Sequence, residues 1–157
     1  MDMDCNVTDI RTLTDRFEIQ DLLVAYSDAI DSRQWNLLDD IFTPDAWVDY
    51  TAVGGAKGNL EDTKTYLDKA LAKFSGYQHM LGLPRISIAG DTATARTICF
   101  NPITLDKDGS PHVFFVGIWY NDELIRTDTG WRISKRVEEF SYFHNFPKDF
   151  TPADPNP

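Results

Sequence analysis

The chain has 157 residues, a length that suits one domain with one sizeable core. Lys and Arg number 15 against 25 Asp and Glu, a formal charge of −10 with no basic cluster, which argues against nucleic acid and anionic membrane surfaces as partners. No apolar run approaches the roughly 18 residues a membrane helix needs, and the opening MDMDCNVTD is too acidic and polar for a secretory leader, so the expected compartment is the cytoplasm.

The first half predicts helices. Thr8 and Asp9 offer N-cap chemistry. Ile19, Leu22, Leu23, Tyr26 and Ile30 follow at spacings of three and four, one stripe of a helix. Ile10, Leu13 and Phe17 form an earlier stripe out of phase with it, which implies a kink or burial on two sides. Trp35 to Phe42 predicts a short second helix stopped by Pro44, and Ala46 to Thr51 alternates like a strand. After the GGAKG turn, Asn59 caps a third helix running to about Phe74, with Glu61 and Asp62 in its first turn, where the helix dipole favours acids.

The second half predicts strands: Gln78 to Ala89, Thr92 to Leu105, His112 to Leu124 and Trp131 to Phe143. They are separated by turns at Gly90-Asp91, Lys107-Asp108-Gly109 and Asp128-Thr129-Gly130. Helices followed by an antiparallel meander indicate an α+β domain over residues 1–149, helices on one face of a curved sheet. A proline-rich tail, 150–157, is expected to be extended or disordered. Strand His112 to Leu124 is apolar at nearly every position. A sheet covered by helices on one side should alternate, so a second subunit, or the segment Phe143 to Phe150, is expected to cover its other face.

Cys5 and Cys99 give neither metal spacing nor a disulfide framework, and no Gly-rich phosphate loop or nucleophile elbow is present; no metal and no cofactor is expected. Only histidine has an ordinary pKa near neutrality, so the three histidines are the first candidates for proton transfer. Alternation puts His79 on the face of Leu81 and Leu83, toward the core, where it is either a reacting group or a buried histidine bonded to a carbonyl. His112 and His144 read as exposed. Asp31 ends the apolar stripe and either caps the turn there or works with Tyr26, five residues earlier. Five residues turn an ideal helix so that the two side chains differ by about 140°, and they converge only if the helix ends or loosens near Asp31. Arg136 lies on the face of Phe140 and Tyr142 rather than that of Trp131, Ile133 and Val137, and pairs with an acid unless it serves a site.

The run RFEIQDLLVAYSDAIDSRQWNLLDDIFTPDAWVDY, the later YQHMLG and the closing GWRISKRVEEF resemble the SnoaL-like group of the NTF2-like (nuclear transport factor 2-like) superfamily, over roughly Thr8 to Pro147. The resemblance implies a cone of three N-terminal helices closing a curved, mostly antiparallel sheet around a pocket. Its enzymatic relatives, bile-acid 7α-dehydratase, scytalone dehydratase and hexachlorocyclohexane dehydrochlorinase, are cofactor-free lyases in which an Asp ending the first helix pairs with a His on the sheet. Asp31 and His79 stand at those positions, Tyr26 matches a dehydratase tyrosine and Arg136 an arginine of the dehydrochlorinase pocket. The function so implied is a dehydratase-like elimination on a small hydrophobic cyclic molecule, such as a steroid or polyketide. His79 would be the base and Asp31 its partner, with Tyr26 and Arg136 stabilising charge and Trp47, Tyr50, Phe100, Phe114 and Tyr142 as walls. A ketosteroid-isomerase-like isomerase or cyclase, and a non-catalytic binding or assembly domain, are the alternatives. The lyase relatives are trimers and other cone members dimers, so a homo-oligomer, most simply a trimer, is implied.

Overall fold

The structure, a computed structural model, describes residues 9–148. Thr8, Cys5 and the tail 150–157 lie outside the described residues. Helix α1 (Ile10–Asp31) starts where Asp9 Oδ1 accepts the Thr12 amide at 2.7 Å. Its stripe Ile19, Leu23, Tyr26 and Ile30 is buried, with Leu22 packed beside it. The helix is one continuous run, and the out-of-phase stripe is neither kinked inward nor buried: Ile10, Leu13 and Phe17 are exposed. What this half of α1 buries instead is Asp15. Its carboxylate takes both terminal nitrogens of Arg126 (2.7 and 2.6 Å) and the Trp131 indole N–H (3.2 Å), which pins the helix to the far end of the sheet.

The expected second α-helix is a 3-10 helix, Trp35–Asp40. Pro44 does not stop it. The chain has already entered strand β1 (Phe42–Asp49), and Pro44 sits in the irregular stretch between Phe42 and Trp47, where a missing N–H breaks no ladder bond. Strand β2 (Lys57–Asn59) pairs antiparallel to β1, and Asn59 caps α2 (Leu60–Leu71) by accepting the Asp62 amide at 2.9 Å.

The rest is strand. β3 (Gly76–Tyr77), β4 (Met80–Leu81) and β5 (Arg85–Ala89) pair in turn along β6 (Thr92–Lys107), which pairs with β7 (Ser110–Thr127), and that with β8 (Gly130–His144). Asp108 and Gly109 both have positive φ, the two-residue hairpin turn whose twist matches its strands. Order β2-β1-β8-β7-β6-β3 gives a curved, unclosed, mixed sheet, because β1 runs parallel to β8. The three helices pack on its inner face, an α+β arrangement.

Two bulges in β8 decide which residues face inward. Leu124 pairs Ile133 but Glu123 pairs Lys135, so Ser134 is extra; Ile118 pairs Phe140 but Gly117 pairs Tyr142, so Ser141 is extra. Each extra residue reverses the alternation. Arg136 therefore shares the inner side with Trp131 and Ile133 rather than opposing them, and all three are buried. Tyr142 is parted from Phe140 and lies over Gly117, whose Cβ, if it had one, would run into the tyrosine ring. Among the described residues no helix is long and apolar enough to cross a membrane.

Candidate active site

A cavity of about 130 Å³ opens between the helices and the inner sheet face. Helix α1 contributes Tyr26 and Ile30, α2 contributes Tyr66 and Leu67, and β7 contributes the alternate residues Phe114, Val116, Ile118 and Tyr120. Polar groups on this largely apolar wall are few: Tyr26, Tyr50, Tyr66, His79, Asn101, Tyr120 and Glu138.

His79 lies between β3 and β4, opposite Asn101 of β6, next to Pro102. The Gln78 amide donates to the Pro102 carbonyl at 3.2 Å, so the alternation of an antiparallel pair turns the next amide, that of His79, away from β6 and onto the Asp31 carboxylate, with Oδ2 at 2.9 Å. Asp31 Oδ1 also meets the His79 ring at Nδ1, 2.6 Å away. One carboxylate thus holds the histidine by backbone and side chain. Asp31 reaches it because α1 ends there. Arg33 follows in the left-handed region (φ 56°) and donates to the Leu71 and Phe74 carbonyls at 3.0 and 2.9 Å, while Tyr77 donates its hydroxyl to the Ile30 carbonyl at 2.9 Å. The helix end is clamped to the β3 segment. Tyr26 and Asp31, divergent on an ideal helix, both address His79: the Tyr26 ring stands edge-on to the imidazole, centroids 6.4 Å apart. Leu83, expected on the face of His79, is 92 % exposed, because the chain leaves β4 at Gly82.

With Nδ1 donating to Asp31, Nε2 is left with its lone pair. Asn101 Nδ2 is 3.2 Å from it, and Asn101 Oδ1 is buried without a partner. Beside them Tyr26 and Tyr50 share a hydrogen bond, 2.7 Å between hydroxyl oxygens. Burial raises the pKa of both phenols above the usual tyrosine range, so they stay neutral.

Arg136 does not line the cavity. It is fully buried behind it, with Nε and Nη2 on Asp122 at 2.7 and 2.8 Å and its guanidinium 3.9 Å from the Tyr26 ring centroid and 4.2 Å from that of Tyr120. Burial works against its charge, but the Asp122 carboxylate outweighs that and keeps it a cation. Of the five expected wall residues, Tyr50 and Phe114 line the cavity. Trp47 and Phe100 do not, since their strand neighbours Ala46, Val48, Cys99 and Asn101 face inward and alternation sends these two outward; Phe100 stacks on Phe115 of the outer face. Tyr142 is outside because of the Ser141 bulge. Sequence reasoning missed Asn101 and Glu138. Asn101 alternates with Thr97, Cys99 and Ile103, a polar residue at an inward position, which is a readable signal; Glu138 is inward only by virtue of the Ser134 bulge. Among the described residues no three His, Cys, Asp or Glu side chains converge as metal ligands.

The SnoaL-like domain model matches residues 11–137. The chain belongs to the SnoaL-like domain family of the NTF2-like superfamily. An uncharacterized protein of Mycobacterium tuberculosis is 46% identical to this SnoaL-like chain over 136 residues, 87% of this chain and 92% of that protein. The crystal structure of LinA superposes with TM-score 0.72 at 25% identity, over 90% of this chain and 96% of that one. A proposed scytalone dehydratase from Novosphingobium aromaticivorans superposes with TM-score 0.75 over 92% and 94% of the chains; at 19% identity it speaks for the fold alone.

Proposed function

We propose that this SnoaL-like protein is a cofactor-independent lyase that eliminates a leaving group from a small apolar cyclic substrate, with His79 as base. The observation that carries the reading is the 2.6 Å contact of Asp31 with His79 Nδ1, which leaves Nε2 as the basic nitrogen at the cavity. The contact and the open cavity favour catalysis over a binding module, in which the pair would have no reason to be held twice. The likeness to LinA, a structural neighbour of the dehydrochlorinase group, agrees with an elimination.

An imidazole removes a C–H proton most readily where the developing carbanion is stabilised, as beside a carbonyl. In the Tyr26–Tyr50 pair one hydroxyl donates to the other, and the remaining O–H is a neutral donor for a carbonyl oxygen as it gains charge. Asp31 stabilises the imidazolium formed and keeps the ring oriented. Once protonated, Nε2 needs an acceptor, and a half-turn of the Asn101 amide brings the unpartnered Oδ1 round in place of Nδ2. Arg136 acts from behind Tyr26 and is a positioning residue. The test is exchange of ring protons next to the carbonyl of cyclohexanone in D2O, followed by NMR. Wild type should catalyse exchange and His79→Ala should not; equal rates would remove His79 as base.

A further inference from the structure

Glu138 enters the cavity from β8, opposite Tyr120 of β7, and its Oε2 is buried with no hydrogen-bond partner. An ionised carboxylate left so would pay heavily for lost solvation. The groups around it do not rescue the charge. Asp49 of β1 repels it, and Tyr26, Tyr50, Tyr66, Tyr120 and Cys99 surround it as neutral side chains. Arg136, two residues away on the same strand, is its one cationic neighbour among these; its Nε and Nη2 are committed to Asp122, and among the described residues its Nη1 makes no hydrogen bond, to Glu138 or to any other group. Burial prevails over Arg136, and the Glu138 carboxyl is pushed up to about 8. At neutral pH it carries a proton, with an acidity matched to proton donation at that pH.

We propose that Glu138 is the general acid of this site and that the group it expels is a hydroxyl, so that the substrate class is cyclic β-hydroxy carbonyl compounds that lose water. The inference rests on the elimination reading above. His79 Nε2 takes the proton next to the carbonyl, and the C–H electron pair becomes the C=C bond. The C–O bond breaks with its pair going to oxygen, and the Glu138 proton completes a water molecule. Imidazolium and carboxylate then remain, and one proton lost from His79 and one gained by Glu138 restore the site. Chloride or a carboxylate leaves without a proton, so a site built for those would need no buried acid. The buried phenols Tyr26 and Tyr50 are too weakly acidic for the task and are left to hold the carbonyl oxygen.

Two probes with one ring separate the roles: 3-hydroxycyclohexanone, which must lose hydroxide or water, and 3-acetoxycyclohexanone, which loses acetate unaided; both yield cyclohexenone. Glu138→Gln should slow the hydroxy probe by about 10²–10⁴-fold and the acetoxy probe by less than about tenfold. His79→Ala should slow both by about 10²–10⁴-fold. Wild-type turnover of the hydroxy probe should fall as pH rises through about 8, with the acetoxy probe unaffected there. Independently of turnover, the infrared spectrum of wild type at neutral pH should contain a protonated-carboxyl band that is absent from Glu138→Gln. Absence of that band in wild type, no wild-type turnover of the hydroxy probe, or equal effects of Glu138→Gln on the two probes would overturn the acid role. Full activity of His79→Ala would instead overturn the elimination reading beneath it.

Discussion

Asp31 and His79 meet twice, once through the imidazole Nδ1 at 2.6 Å and once through the His79 amide at 2.9 Å. The side chains are also sheltered, His79 7 % and Asp31 25 % exposed. If they act as one unit, His79→Ala and Asp31→Asn should each lower turnover by about 10²–10⁴-fold, and the double variant should be little worse than either. Multiplying losses in a turnover or proton-exchange assay would show two independent contributions.

Asp15, Arg126 and Trp131 tie α1 to the end of the sheet far from the chemistry. Asp15→Ala leaves the guanidinium and the indole N–H without their acceptor, and should cost about 2–4 kcal/mol in urea unfolding with m unchanged. Hydrogen bonding from Arg126 holds the Asp15 carboxyl below its ordinary value of 3.8. A depressed acid stabilises the fold above its unfolded value, and that stability is lost as pH falls below 3.8 toward the folded value. The variant should therefore lose less stability than wild type on acidification.

Glu138 has the opposite sign. Its folded value lies near 8 against an ordinary 4.5, so the folded state holds the extra proton between them. Stability from this group is complete below 4.5 and drains away as pH climbs through about 8. Glu138→Gln should flatten that slope, with a gain over wild type on the order of 3–5 kcal/mol on the alkaline side. Parallel thermal-melt profiles for the two proteins would contradict this.

With proton transfer assigned to His79 and Glu138, elimination should survive exhaustive EDTA treatment. Loss of turnover that zinc or magnesium restores would place a metal in the mechanism.

The outer sheet face bears Trp47, Ile98, Val113 and Tyr142, all more than 40 % exposed, beside the Phe100–Phe115 stack. Phe146 packs on Phe114 at the cavity, away from that face. We therefore expect a second copy of the chain to cover it. Light scattering at micromolar concentration should give a multiple of the chain mass, and Phe115→Glu should lower it. The mass of a single chain for wild type would reject the association.

Local chemistry made much of this protein legible from its residues alone. Asn59 can cap a helix, Asp108-Gly109 can turn a hairpin, and the Ile19–Ile30 stripe can cover a core without reference to anything distant in the chain. The order of helices and strands followed, and so did the placement of Asp31 and His79 at the positions the family resemblance assigns. Facing was different. A strand's alternation has period two, so one extra residue exchanges its faces, and an extra residue is visible only in the partner strand's register. The bulges at Ser134 and Ser141 therefore decided that Arg136 is buried against Asp122, that Glu138 enters the cavity and that Tyr142 leaves it. The same holds for Asn101: its contact with His79 exists because β6 brings them opposite each other at the break beside Pro102. The acidity of Glu138 is likewise tertiary, because it is set by the loss of water around the group rather than by its neighbours in the chain.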